Sequence, residues 1–355
     1  MRILVATDAW HPQINGVVRT LTATAAHARK LGTELLFLTP QDFPRLPLPN
    51  YPEIDIALPI ASVRRRITDA APDAIHIATE GPVGLAARRY CRQHRIRFTT
   101  SFHTAFPAYV AARSPIPENW VWRYLRWFHS GSDRVMVASS ALADELKSRG
   151  FERIVRWPRG VETELFKPDP DATLDLPRPI FLNVGRIAVE KNLEAFLALD
   201  LPGTKVVVGD GPARAILAKK YPEAAFTGIS EGKELAQIYA AADVFVFPSR
   251  TDTFGLVLLE ALASGLPVAA FPIASVQAVM GSAPVCALDD DLRAACLQAL
   301  RRSRKTCREF AEGWSWENCT RHFIRHAAWL SPHEPGHPFE FEPQTSRLTI
   351  RSAST

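Results

Sequence analysis

The stretch Val244-Phe-Val-Phe-Pro-Ser-Arg-Thr-Asp252-Thr-Phe-Gly255-Leu-Val-Leu-Leu-Glu260-Ala-Leu-Ala263 changes character twice. Val244–Phe247 is β-branched and aromatic with no polar interruption, which predicts a strand buried on both faces. A polar turn of Pro, Ser, Arg, Thr and Asp follows. After Gly255 the chain is continuously apolar except for Glu260, which predicts a buried helix. Strand, turn and helix in this order make half of a βαβ unit, and such units build parallel sheets.

The alternation continues outward. Upstream, strands are predicted at Ile180–Val184 and Lys205–Gly209, each followed by a helix candidate. Pro168–Pro179, rich in proline and aspartate, reads as a linker. Before it lies a first series, with strands at Arg2–Ala6, Glu34–Leu38, Ile75–Ala78, Phe98–Phe102 and Arg134–Ala138 and helices at Val17–Leu31 and Val83–His94. Downstream, an amphipathic stretch over Ser315–Leu330 ends at Ser331-Pro332, and the remainder lacks periodicity and reads as a mobile tail. The predicted class is therefore α/β, with two Rossmann-like domains facing across a cleft. They are assigned to residues 1–165, completed by a helix over 315–330, and to residues 177–312, with 332–355 as tail. A chain of 355 residues suits two cores. Ligands of such sheets bind at the carboxyl ends of strands, so the chemistry is expected in loops facing the cleft.

Composition narrows the class. With 22% charged and 47% apolar residues the chain is globular rather than disordered. Its longest apolar runs fall far short of a membrane span, and no cleavable signal pattern opens it. Five cysteines without a CxxC suggest neither a disulfide framework nor a zinc site, and point to a reducing cytoplasm. Residues 1–165 hold 22 Lys and Arg against 15 Asp and Glu, or +7, whereas the rest hold 20 against 22, or −2. A basic first half implies an anionic partner, nucleic acid or a membrane surface.

Four loops carry candidate chemistry. In Asp8–Val17, Gly16 at a helix start lets backbone N–H groups approach a phosphate, although Asn-Gly is also common in ligand-free turns. His103 follows a strand and either donates into the cleft or is satisfied by local backbone. In Asn183–Asn192, Arg186 and Lys191 are placed to neutralise a leaving diphosphate, or they line a solvated loop. In the opening stretch, Asp252 can hold sugar hydroxyls and Glu260 a ribose diol, with N–H groups around Gly255 and Leu256 facing phosphate. The plainer alternative makes Asp252 an N-cap and Glu260 a surface residue, yet an acid embedded in an apolar helix needs a buried partner.

As an ordered set these elements resemble glycosyltransferase family 4, whose members are retaining and adopt the GT-B fold. Arg159-Gly160-Val161-Glu162 through Phe166-Lys-Pro168 resembles the family's interdomain segment, Gly209–Pro212 its second glycine turn, and Trp314-Ser-Trp316 the start of a helix that crosses back to the first domain. The resemblance implies that Gly16 lies against the donor diphosphate, that Arg186 and Lys191 stabilise it as it leaves, and that His103 contacts the transferred sugar. It puts the family's paired acids, normally Glu-x7-Glu, on Asp252 and Glu260, with Thr253, Phe254, Gly255 and Leu256 in the donor-facing turn and the nucleobase near Gly228 and Ile229. The first acid is Asp here, as in members resembling glycolipid synthases. No cofactor and no metal are expected, and Asp289-Asp290-Asp291 reads as a capped helix start.

The expected activity is hexosyl transfer from a nucleotide-sugar, a UDP-hexose or GDP-mannose, to a membrane-lipid acceptor such as diacylglycerol. The alternatives are a mannosyltransferase or other hexosyltransferase acting on a saccharide or phosphoinositol-type acceptor, and a non-catalytic nucleotide-sugar-binding module. A dehydrogenase would need GxGxxG after the first strand, where Gly16 is the sole glycine, and no nucleic-acid module is present. On helical spacing, Trp120, Val121, Tyr124, Leu125 and Phe128 share a core face, which leaves Trp122, Arg123, Arg126 and His129 outward. Trp122, Arg123 and Arg126 are therefore the expected membrane contact, and the expected location is cytoplasmic, peripheral on the inner face of the cytoplasmic membrane.

Overall fold

The computed structural model describes residues 1–13, 15–48, 51–58, 63–103, 117–250, 252 and 254–327. The expected tail, positions 328–330 of the expected last helix, Thr251 and the candidate donor residue Thr253 lie outside the described residues.

Strand β1 (Arg2–Ala6) pairs in parallel with β2 (Glu34–Leu38), from Arg2 opposite Glu34 to Ala6 opposite Leu38. A separate antiparallel pair follows, β3 (Arg45–Leu48) and β4 (Tyr51–Ala57). The main sheet resumes with β5 (Ala74–Ile77), β6 (Thr99–Phe102), β7 (Val135–Val137) and β8 (Ile154–Arg156), giving the order β2-β1-β5-β6-β7-β8. The second sheet is also six-stranded, with one strand more on the far side of its first strand. Its strands are β9 (Ile180–Val184), β10 (Thr204–Val208), β11 (Ala225–Gly228), β12 (Val244–Phe247), β13 (Val268–Ala270) and β14 (Cys286–Leu288), in the order β11-β10-β9-β12-β13-β14. All neighbours in both main sheets are parallel. These are the two Rossmann-like sheets that the alternation predicts.

Side chains of a strand alternate between faces, and both faces are covered. In the second sheet Leu182, Val206 and Phe245 pack under Leu258, Leu259 and Leu262 of the helix Leu256–Ala263. Their neighbours Phe181, Val207 and Val246 pack on the opposite side with Phe196 and Ala295. In the first sheet Ile3 and Val5 meet Leu21 and Phe323, whereas Leu4 and Ala6 meet Val83 and Ala87.

Phe323 belongs to the helix Trp316–His326, which Ser315 caps by accepting from Asn318 N. Although it follows the second sheet in sequence, this helix buries Trp316, Cys319, Phe323 and Ile324 against the first-sheet core. Each fully buried side chain of this size contributes about 1.5–3 kcal/mol. Asp291 caps Leu292–Ala299 by accepting from Arg293 N and Ala294 N, as its place in the triple-aspartate run predicts. All five cysteines are buried and free. No helix among the described residues is long and apolar enough to cross a membrane.

Candidate active site

Strand order reverses between β9 and β12 in the second sheet and between β1 and β5 in the first. Loops leaving the carboxyl ends of such strands diverge and open a crevice. In the second sheet these are the loops that carry Arg186, Lys191 and Asp252. They are tied together: Asn192 Nδ2 donates to the Pro248 carbonyl at 3.0 Å, and Lys191 Nζ donates to Asp252 Oδ1 at 2.6 Å. Arg186 pairs with Glu190, four residues on in the same loop. A third loop locks in from β10, because a Cβ on Gly209 would lie 2.0 Å from the Gly185 carbonyl oxygen. Gly209 N in turn donates to the Gly228 carbonyl at 2.7 Å, which brings the end of β11 into the same rim. There Gly228 borders Arg214, and Ile229 is exposed.

Asp252 does not cap the helix Leu256–Ala263. Gly255 does, with φ of +78°, a conformation that favours glycine. The Asp252 side chain is left to face Lys191, and its Oδ2 is buried without a hydrogen-bond partner among the described residues. Phe254 is buried edge-on to Trp314, so its side chain is part of the core rather than the crevice lining.

Glu260 is buried, and its partners are specific. Tyr239 donates its hydroxyl to Oε2 at 3.1 Å, and Arg19 reaches from the first half to Oε1 at 2.9 Å. Burial raises the Glu260 carboxyl above the ordinary carboxylate range, with Arg19 and Tyr239 pulling the other way. Arg19 lies on the helix Gly16–Lys30, which Asn15 caps by accepting from Val17 N and Val18 N at 3.0 Å each. Gly16 faces Leu256, whose Cδ1 is 3.9 Å from where a Cβ on Gly16 would stand. The two halves therefore meet at the first turn of one helix and the first turn of the other. In the first half Asp8 closes the β1 and β5 ends, accepting from Thr79 Oγ1 and Val83 N at 2.7 Å and from Gly84 N at 3.2 Å.

His103 sits at the end of β6. Its Nδ1 lies 3.1 Å from Nη2 of Arg159, a buried guanidinium whose Nη1 donates to the carbonyls of Trp157 and Pro158. Burial, with Arg159 and His76 nearby, pushes His103 well below the usual histidine range, so the ring is neutral. Among the described residues no group of His, Cys, Asp and Glu is clustered so as to hold a metal ion.

One sequence expectation is corrected. On the helix Glu118–His129 the buried face is centred on Val121, Leu125 and Phe128. That phase turns Trp122 inward, parallel to Phe102 at 6.1 Å, with the Arg149 guanidinium 3.9 Å above its ring. His129 is buried too, its ring nitrogens against Thr100 Oγ1 at 2.8 Å and Glu80 Oε1 at 3.2 Å. Trp120, assigned to the core, is 73% exposed, and Trp127 is 49% exposed. Arg123 and Arg126 are exposed as expected. The sequence grouping centred the face one flank too far towards Trp120. Arg19 and Tyr239 carry no local sequence signal, because their partner Glu260 is distant in sequence.

Residues 14–165 match the profile of glycosyltransferase family 4, and residues 178–302 that of glycosyl transferases group 1. A GDP-mannose-dependent alpha-mannosyltransferase of Mycobacterium tuberculosis is 31% identical over 302 residues, covering 76% of this chain and 79% of the relative. The chain belongs to glycosyltransferase family 4. An alpha-monoglucosyldiacylglycerol synthase of Streptococcus pneumoniae is 28% identical, covering 76% of this chain and 71% of its own. Among solved structures, sucrose-phosphate synthase from Thermosynechococcus elongatus superposes with a TM-score of 0.73 at 20% identity, over 91% of this chain and 97% of that one. The fold is GT-B, and this family 4 chain is a hexosyltransferase.

Proposed function

We propose that the enzyme moves a hexosyl group from a nucleotide-sugar to a membrane-lipid acceptor, with retention at the anomeric carbon and without a metal. The observation that carries this reading is the contact between Lys191 and Asp252 across the two switch-point loops. It sets a cation beside a carboxylate where a sugar diphosphate would lie. Arg186 and Lys191 are assigned to the leaving diphosphate, Asp252 to the sugar hydroxyls, Glu260 to the ribose, and the N–H groups at Gly16, Gly255 and Leu256 to phosphate. Gly228 and Ile229 are assigned to the base, and His103 to the sugar. The bond from C1 to the phosphate oxygen breaks while the acceptor oxygen joins C1 on the same face, and the acceptor proton passes to the departing phosphate. The main protein contribution is electrostatic stabilisation of that leaving group.

A lipid acceptor is supported by the relative named for diacylglycerol and by the outer face of Glu118–His129. Exposed Trp120 and Trp127 there flank Arg123 and Arg126, a combination suited to the headgroup level of an anionic bilayer. The relative named for GDP-mannose favours mannose as a second reading of the donor.

Incubation with UDP-glucose, UDP-glucuronate and GDP-mannose plus a membrane-lipid extract is expected to yield a glycolipid from one donor. Transfer to soluble saccharides alone would overturn the lipid acceptor. In the same assay Asp252→Glu is expected to lower turnover, because the longer side chain displaces Lys191, and also to shift the ratio between UDP-glucose and UDP-glucuronate. An unchanged ratio removes the sugar-reading role from Asp252.

Membrane docking has its own test. A basic residue near an anionic surface contributes about 1 kcal/mol, so Arg123→Ser/Arg126→Ser is expected to weaken binding to phosphatidylserine-containing vesicles about 30-fold. Adding Trp120→Ala is expected to weaken it further. Equal sedimentation of wild type and variants would remove this face from the interface.

A further inference from the structure

We propose that Arg159 is a positioning residue that, by donating from Nη2 to His103 Nδ1, holds the imidazole as its Nε2–H tautomer, so that His103 meets the sugar as a hydrogen-bond donor only. The inference rests on the assignment of His103 to the sugar and adds the chemical form in which it acts.

A guanidinium has donors and no acceptor, and a neutral imidazole has one donor nitrogen and one acceptor nitrogen. With Nη2 at 3.1 Å, Nδ1 must be the acceptor, and the ring proton is on Nε2. The other tautomer would set two N–H groups against each other, and the imidazolium would add a second positive charge beside the guanidinium. Burial lowers Arg159 to about 10, which leaves it charged at neutral pH.

Arg159 is itself held firmly. Nη1 donates to the Trp157 carbonyl at 2.6 Å and to the Pro158 carbonyl at 3.1 Å, and its guanidinium lies 4.6 Å from the Trp157 ring centre. The C-terminal crossing helix supports that segment: Cys319 Sγ lies 3.0 Å from the Pro158 carbonyl and Phe323 packs on Trp157 at 4.7 Å. Val161 N donates to the Trp314 carbonyl at 3.0 Å. A helix that follows the second sheet in sequence thus fixes the protonation pattern of a first-sheet histidine. The titratable groups acting on this cluster from the neighbouring elements are His76 and His129 from β5 and the helix Glu118–His129, and Cys319 from the crossing helix. His76 is held neutral at about 3 by burial first and by Arg159.

The test is a long-range proton–nitrogen spectrum of the full chain with labelled histidines, in which His103→Gln assigns the signal. The wild-type ring is expected as the Nε2–H form from pH 8 down to about 5.5, below the usual histidine midpoint. Arg159→Met is expected to give a mixed tautomer that titrates at higher pH than in wild type. Turnover should gain a matching acid limb, and kcat/KM at neutral pH should fall about 5- to 10-fold, the effect of one neutral hydrogen bond. Arg159→Lys, which also only donates, is expected to restore the tautomer in part. A wild-type ring protonated on Nδ1 would overturn the inference even if Arg159→Met fails to fold, as would an unchanged tautomer and pH profile in that variant. Because the spectrum needs no sugar, its failure is separable from that of the sugar contact, which would show instead as His103→Ala with normal turnover.

Discussion

Lys191→Ala and Arg186→Ala are each expected to lower kcat about 100- to 1000-fold, which corresponds to about 3–4 kcal/mol of lost transition-state stabilisation. The size follows from preorganisation. Lys191 ends a short 3₁₀ turn, Val189–Lys191, and the next residue, Asn192, adopts a left-handed backbone with φ of +52°. Its side-chain amide is anchored on the Pro248 carbonyl. The ammonium is therefore delivered to the crevice by a turn with little freedom, and it already faces a carboxylate. A charge placed before the reaction starts needs no reorganisation as the diphosphate departs. The fold is expected to survive, because the Lys191–Asp252 pair is partly exposed, at 31% and 20%, and such pairs contribute about 1 kcal/mol or less. The measurement is turnover at saturating donor, with the melting temperature as control. Near-wild-type kcat in either variant would remove that residue from the leaving group.

Legibility in the sequence followed the physics of each feature. Strands of four or five residues, apolar and carrying β-branched side chains, such as Arg2–Ala6, Ile180–Val184 and Val244–Phe247, are readable to their ends. Three-residue strands such as Val268–Ala270 and Cys286–Leu288 are too short to show a period and went unread. The hairpin of Arg45–Leu48 with Tyr51–Ala57 was hidden by Pro47 and Pro52, residues that argue against a strand interior. At the candidate site, the loops of Lys191 and Asp252 are legible as neighbours because each follows a strand end at the switch point. The partners of Glu260 and His103 were not. Local pattern shows that a buried acid needs a buried partner, but not that the partners are Arg19 and Tyr239. For Arg159 there was a signal, a lone arginine between Trp157-Pro158 and Gly160 in the interdomain segment, though nothing local linked it to His103. Trp122 shows the limit of helical spacing. With aromatic residues all round Glu118–His129, a shift of one flank exchanges which tryptophan faces water.

Arg19→Met is expected to separate stability from donor binding by giving them opposite pH trends. Glu260 is buried and Arg19 compensates it from the other half of the molecule. Stranding a buried charge costs about 3–5 kcal/mol, and the 38% exposure of Arg19 places this pair towards the low end. At roughly 2–4 °C per kcal/mol for domains of this size, the melting temperature should fall by about 5 °C or more near pH 8. The folded-state Glu260 carboxyl already lies above its unfolded value, so stability linked to it is present at low pH and is lost as pH rises through the folded value. Removing Arg19 raises that value further, so the deficit should shrink from pH 8 towards pH 5. Donor binding should move the other way. A protonated Glu260 offers the ribose one acceptor fewer, so the donor KM of Arg19→Met should improve as pH rises while the protein melts earlier. Glu260→Gln in the same background removes the stranded charge, and it should recover the melting temperature without recovering KM. A melting temperature equal to wild type throughout pH 5–8 would show that the contact between the halves is not held by this pair. Parallel rather than opposed pH trends would show that Glu260 does not hold the ribose.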